Sequence, residues 1–279
     1  MKRKTAELPI VSASSLRAEI SARNQARAGP FAHELTWSST PSVLYAEADG
    51  LHGNFLPASW KRICARPAWR KRAAKSYTAS RLVPRAGDRR RFELDCANSS
   101  DALLMNIFCY PKVLRRPALG ALLGLGPDLD SGLEPEFGVR PSIPRLHAHI
   151  DRTEIDMRLG SLLVEAKLTE GDFQRAPLRR LDNYPQISEI FDIERLPVAG
   201  GSVHSWQLIR GVLAAHACEA SFLVFCDRRR SDLIDRWFSV LAAVSSSALR
   251  TRLGLLTWQE IAPTLPATLQ KFLSEKYGI

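Results

Sequence analysis

Two carboxylates, a backbone carbonyl and an amine fall close together in this chain: Asp156, Glu165, Ala166 and Lys167. Hard divalent cations take oxygen ligands, and a few carboxylates with a carbonyl and water meet that demand. A cation so held polarises a phosphoryl oxygen and lowers the pKa of a bound water. Lys167 adds a positive charge that can orient that water or stabilise charge developing on a phosphate. The pattern therefore points to phosphodiester hydrolysis assisted by Mg²⁺, with Mn²⁺ able to substitute.

The residues around them say how they would be held. From Arg152 to Leu159 polar Arg152, Glu154, Asp156 and Arg158 alternate with apolar Ile155, Met157 and Leu159. From Leu162 to Leu168 apolar Leu162, Val164, Ala166 and Leu168 alternate around Glu165 and Lys167. Period two in both halves with Gly160-Ser161 between them predicts a β-hairpin. Reversal near Gly160 puts Glu154, Asp156, Glu165 and Lys167 on one face of the sheet, with the opposite face apolar. Opposed like charges destabilise a strand pair, so a bound cation is the simplest reason for the cluster. The bland alternative, a cross-strand ion pair on a solvated face, accounts for Glu165 and Lys167 but leaves Asp156 and Glu154 unexplained.

Other segments supply the frame. Pro57 to Lys75 predicts a helix broken at Pro67, with a basic side read as a solvated or phosphate-contacting face. Ser99 or Ser100 can cap a helix that ends at Pro111, with Asp101 in its first turn. Arg116 to Pro144 is rich in Pro and Gly and reads as a long loop. Arg145 to Ile150 reads as a strand; either a bend or bulge lies near Asp151 or His147 and His149 face the core side, and both are read as structural. A helix over Ser202 to Ala217 and the buried strand SFLVFC follow, and amphipathic helical segments finish the chain. The order is helix, strand, strand, strand, helix, strand.

At 279 residues and 45% hydrophobic content the chain can bury a full core. Its net charge of +10, carried mostly by arginine, suits a polyanionic partner. The 5 cysteines are scattered, never spaced as CxxC, and read as reduced thiols of a cytoplasmic protein. No apolar run reaches transmembrane length, so no membrane partner is expected.

Asp156, Glu165-Ala166-Lys167 and the αβββαβ order resemble the PD-(D/E)XK nuclease superfamily. The HGNF, ANSSDALLMNIFCYP and EAKL segments are also similar to a restriction-endonuclease-like bacterial branch. The proline that names the motif is absent, since Glu154-Ile155 precedes Asp156; that proline is dispensable in the superfamily. The resemblance implies an α/β fold: a restriction-endonuclease-like αβββαβ core with a central mixed sheet flanked by helices, plus N- and C-terminal helical extensions. It divides the chain into a basic flexible segment (1–40), a helical extension (41–96), the nuclease core (97–230) and a C-terminal helical extension (231–279). It implies catalytic Asp156, Glu165 and Lys167, with Gln207 as a helper, and metal ligands Asp156, Glu165, the Ala166 carbonyl and Asp101. Arg175, Arg179, Arg180, Arg210, Arg228 and Arg229 are expected to contact nucleic acid, DNA in preference, with further arginines at Arg89–Arg91 and Arg230. A homodimer would suit double-strand cutting. The alternative is a catalytically inactive nucleic-acid-binding module that retains the fold.

Overall fold

A computed structural model describes residues 11–76, 92–126 and 132–279. The expected Arg89–Arg91 cluster lies outside the described residues. Helix α1 (Ala13–Arg27) is capped by Ser12, whose hydroxyl accepts the Ser15 N–H. It falls inside the segment expected to be flexible, yet Leu16 and Ile20 are buried. Helices α2 (Pro57–Cys64) and α3 (Pro67–Ala73) each begin with proline at the first helical position, where the missing N–H costs nothing. The break at Pro67 is the one the sequence predicts.

Helix α4 (Ser100–Phe108) is capped by the Ser99 hydroxyl, which accepts the Ala102 N–H at 3.2 Å. All of its residues are buried, as expected of a helix packed on both sides. Then come β1 (Glu136–Val139), β2 (Ile155–Leu159), β3 (Leu162–Ala166), α5 (Trp206–Ala217), β4 (Ser221–Cys226), α6 (Ser231–Ala242), β5 (Leu253–Thr257) and α7 (Ala267–Tyr277). The sheet runs β5-β4-β3-β2-β1. β3, β4 and β5 are parallel, and β2 and β1 are antiparallel to their neighbours. This is the expected central mixed sheet flanked by helices, in αβββαβ order.

One core fills the face carrying Met157, Leu159, Leu162, Val164 and Ala166, covered by α1, α4 and α7. The other lies under α5 and α6 against Leu163, Phe222 and Val224. β3 is therefore buried on both faces.

Four local expectations change. The first core strand is β1, inside the stretch read as loop; its proline and glycine neighbours conceal a four-residue edge strand. Arg145–Ile150 is not a strand. It forms the tip of a hairpin between Ile143–Pro144 and Ile150–Asp151. His147 and His149 are exposed there, with left-handed backbone at His147 and Ala148 (φ 59° and 57°), so they face solvent, not the core. Ser202–His204 is extended and pairs with Arg175–Pro177 and Val198–Ala199. Left-handed Ser205 (φ 59°) then starts α5. Finally, the C-terminal extension is not wholly helical: LGLLT becomes β5, because β4 offers it a free parallel edge.

Candidate active site

The β2–β3 hairpin turns at Gly160-Ser161, with Gly160 at φ 60°, a conformation glycine adopts without strain. Its register pairs Leu159 with Leu162 and Met157 with Val164, and stops there. One step further, the Ala166 N–H donates to the Asp156 Oδ2 at 2.8 Å. A side-chain oxygen thus replaces a ladder acceptor where the strands fork, which fixes that carboxylate in place. The same register puts Asp156 opposite Glu165 on the expected common face.

Glu165 is 3% exposed and Lys167 6% exposed, which rules out a solvated surface pair. Lys167 Nζ donates to Glu165 Oε1 at 2.7 Å. Burial acts to lower the lysine pKa, but Glu165, Glu170 and Asp156 outweigh it and raise the pKa above its ordinary value. These carboxylates therefore favour the charged form of Lys167. Its backbone is held from two sides, its N–H donating to the Phe225 carbonyl and its carbonyl accepting the Trp258 indole N–H, both at 2.8 Å.

Asp101 enters from the first turn of α4, as expected. Burial, then the nearby Glu165 and Asp101 carboxylates, push the Asp156 pKa well above its usual range, against the pull of Lys167 and the Ala166 N–H. The site also contains cations that sequence reasoning left on a helix surface. Arg72, from α3, is buried and donates to Asp101 Oδ2 and Glu154 Oε1, both at 2.6 Å. It also lies 3.9 Å from Asp156. Lys75 reaches Glu154 at 2.8 Å and Glu93 at 3.0 Å. Gly138 in β1 has φ +65°, and a Cβ there would stand 2.5 Å from Arg72 Nη1, so glycine lets the guanidinium in. The clustering of basic residues on α3 was the only trace of this in the sequence.

Glu154 therefore belongs to an ion-pair network. Burial would raise its pKa, but hydrogen bonds from Lys75 and Arg72 hold it at about 2. Glu170 is a further carboxylate the sequence reading passed over; it accepts the Leu168 N–H at 2.6 Å and the Ser100 hydroxyl. Gln207 lies in the first turn of α5, where its backbone N–H donates to the Phe173 carbonyl at 3.0 Å. The Phe173 ring is 5.7 Å from Lys167 Nζ, so that turn borders the site.

Carboxylate and carbonyl oxygens are the donors a hard divalent cation takes. Among the described residues no three His, Cys, Asp or Glu side chains form a ready-made cage. Mg²⁺ needs none, because it keeps several waters and binds through one or two carboxylates. Asp156, crowded by Glu165 and Asp101, is where a cation relieves the most like-charge repulsion. The residues fit such an ion.

The expected nucleic-acid contacts divide. Arg175, Arg179, Arg180 and Arg228 are exposed. Arg229 is committed to buried Asp227 at 2.7 Å and to Glu19 at 2.8 Å. Arg230 is fully buried on Asp232 and the Glu170 carbonyl, both at 2.8 Å. Arg210 pairs with Asp151, its Nε donating to Oδ2 at 2.8 Å. Carboxylates hold these arginines, because an unpaired buried charge is costly.

Sheet order, flanking helices and the acidic fork place the molecule among restriction-endonuclease-like proteins. More narrowly, the chain belongs to the family described as Restriction Endonuclease associating with ARP, whose model matches residues 24–278. That match takes in α2 and α3 as well as β5, so the helix bearing Arg72 is part of the family unit. Comparison with curated proteins and with solved structures gives no match.

Proposed function

We propose that the protein is a metal-dependent nuclease that hydrolyses nucleic-acid phosphodiester bonds, with DNA as substrate and Mg²⁺ as the ion. One observation supports this most: at the β2–β3 fork Asp156 is clamped by the Ala166 N–H, facing Glu165, beside a Lys167 held charged. Asp156 and Glu165, with Asp101 and the Ala166 carbonyl, would hold the ion. Bound there, it supplies charge neutralisation and a water of lowered pKa. Lys167 would present its ammonium to charge developing on the phosphate or orient the attacking water. Gln207, whose backbone N–H is tied to Phe173 beside Lys167, would orient water or phosphate. Arg175, Arg179, Arg180 and Arg228 would grip the strand backbone. Arg210 and Arg229 lie on the same side of this assignment only if their carboxylate partners release them.

Purified protein incubated with plasmid or linear DNA and Mg²⁺ tests the reading. Asp156→Ala and Lys167→Ala should each slow cleavage on the order of a thousandfold, the loss of several kcal/mol of transition-state stabilisation. Wild-type rates in both variants would remove the site assignment. Salt-sensitive DNA binding with no cleavage in any divalent ion would favour the inactive binding module instead.

A further inference from the structure

Beyond the acidic fork lies a recess of opposite sign. Its walls are the Ile143–Pro144/Ile150–Asp151 hairpin, the short 3-10 helix Leu178–Asn183 and the first turns of α5. Arg145, Arg180 and Arg210 line a cavity of about 290 Å³ with Tyr184, Trp206 and Asp151. Asp151 is fully occupied: it accepts from both Arg210 and the Tyr184 hydroxyl, and from the Thr153 N–H and hydroxyl. Among the described residues neither Arg145 nor Arg180 has a carboxylate partner. Arg145 Nε is buried with no hydrogen-bond partner. A buried guanidinium N–H left unpaired costs free energy and calls for an explanation. Arg145 is also fixed in place, its backbone N–H donating to the His149 carbonyl at 2.9 Å and its guanidinium 5.8 Å from the Tyr184 ring centroid.

We infer that this recess binds a terminal phosphate of a nucleic-acid strand. Three guanidiniums against one carboxylate leave two positive charges. A phosphate monoester carries about −1.5 to −2 at neutral pH, whereas an internal diester carries a single charge. Planar guanidinium forks match phosphate oxygens in pairs. The nucleic-acid ligand rests on the nuclease reading above, and the position agrees with it. Asp151 precedes Asp156 by five residues, so the two Cα atoms lie at most about 18 Å apart. At about 3.4 Å of rise per nucleotide in one strand, that is within roughly five nucleotides. The recess would then seat a strand end and set the cut a short distance from it.

The test uses the full chain in EDTA, so that binding is read without cleavage. Fluorescence anisotropy is measured with one internally labelled single-stranded oligonucleotide in three forms: 5′-phosphorylated, 3′-phosphorylated and hydroxyl-ended. One phosphorylated form should bind at least tenfold tighter than the hydroxyl-ended form, and which one assigns the polarity. Inorganic phosphate should compete with that form alone. Arg145→Ala should abolish the preference while leaving hydroxyl-ended binding within about twofold, and Arg145→Lys should keep part of it. Equal binding of all three forms, or a preference that survives Arg145→Ala in a variant with wild-type circular dichroism and melting, overturns the inference. The two readings fail separately: an end preference without Mg²⁺-dependent cleavage removes the nuclease and keeps the recess, and cleavage without end preference does the reverse.

Discussion

The acidic fork and the basic recess are built from the same kinds of side chain to opposite ends. At the fork, carboxylates from α4, β2 and β3 converge on a buried sheet face, and Arg72, Lys75 and Lys167 are drawn in to offset them. At the recess, arginines converge on loops and a helix start, and one carboxylate, Asp151, orients part of the set. The difference is in what remains unsatisfied. Asp156 is still crowded by Glu165 and Asp101, so the fork favours a cation. Arg72 Nε at the fork and Arg145 Nε at the recess are both left unpaired, but Arg72 sits on carboxylates whereas Arg145 has none among the described residues, so the recess favours an anion. Burial makes both demands stronger, because unpaired polar groups cost most where water is excluded.

Removing the largest compensating charge is the hardest blow to this contrast. Arg72→Ala leaves Asp101 and Glu154 without their guanidinium, and should cost about 3–5 kcal/mol in urea unfolding at neutral pH. Added Mg²⁺ should recover part of that loss in Arg72→Ala, since a second cation can take the guanidinium's place at the fork. A variant as stable as wild type would mean that the fork carboxylates do not need Arg72.

Trp258→Phe probes the support behind Lys167. The Trp258 ring packs edge-on against Phe225 at 5.4 Å, and phenylalanine keeps most of that contact. The lost indole N–H leaves the buried Lys167 carbonyl unpaired, at about 1–3 kcal/mol by denaturant titration. Nuclease activity should fall as well, because the lysine backbone is no longer pinned; unchanged stability and activity would show that the Phe225 contact suffices.

Glu154 allows a test by pH alone. Its carboxyl is held at about 2 by Lys75 and Arg72, below the ordinary value of 4.5. A depressed folded-state pKa contributes stability above the unfolded value, and that contribution fades as pH falls from about 4.5 to about 2. Glu154→Gln should therefore melt below wild type at pH 6, with the gap closing by about pH 2. A constant gap would place its cause outside the ion pairs.

The smallest effect is expected at the recess. Asp151→Asn removes its only carboxylate, so affinity for the phosphorylated oligonucleotide should rise by about two- to tenfold at low salt, less at high salt. Weaker binding would mean that Asp151 matters more for aiming Arg210 than for its charge.

The comparison also separates what could be read along the chain from what could not. Alternation over Arg152 to Leu168 is a local signal, and it determined the hairpin, its turn at Gly160 and the shared face of Asp156, Glu165 and Lys167. Ser99 as cap, the break at Pro67 and the strand SFLVFC were equally local, since each depends on residues a few positions apart. β1 and β5 were not legible, because a short edge strand is defined by the neighbour it pairs with and its own residues carry little pattern. The N-terminal cations were hidden for a similar reason: a basic helix face looks solvated until the packing of α4 between the sheet and α2–α3 brings Arg72 onto Asp101. The same holds for Arg210, Arg229 and Arg230, whose carboxylate partners only the fold reveals. Sequence alone thus determined which side chains share a strand face, because a strand's period is a property of its own backbone. Tertiary structure alone decided which charges are buried together, because that depends on contacts between segments far apart in the chain.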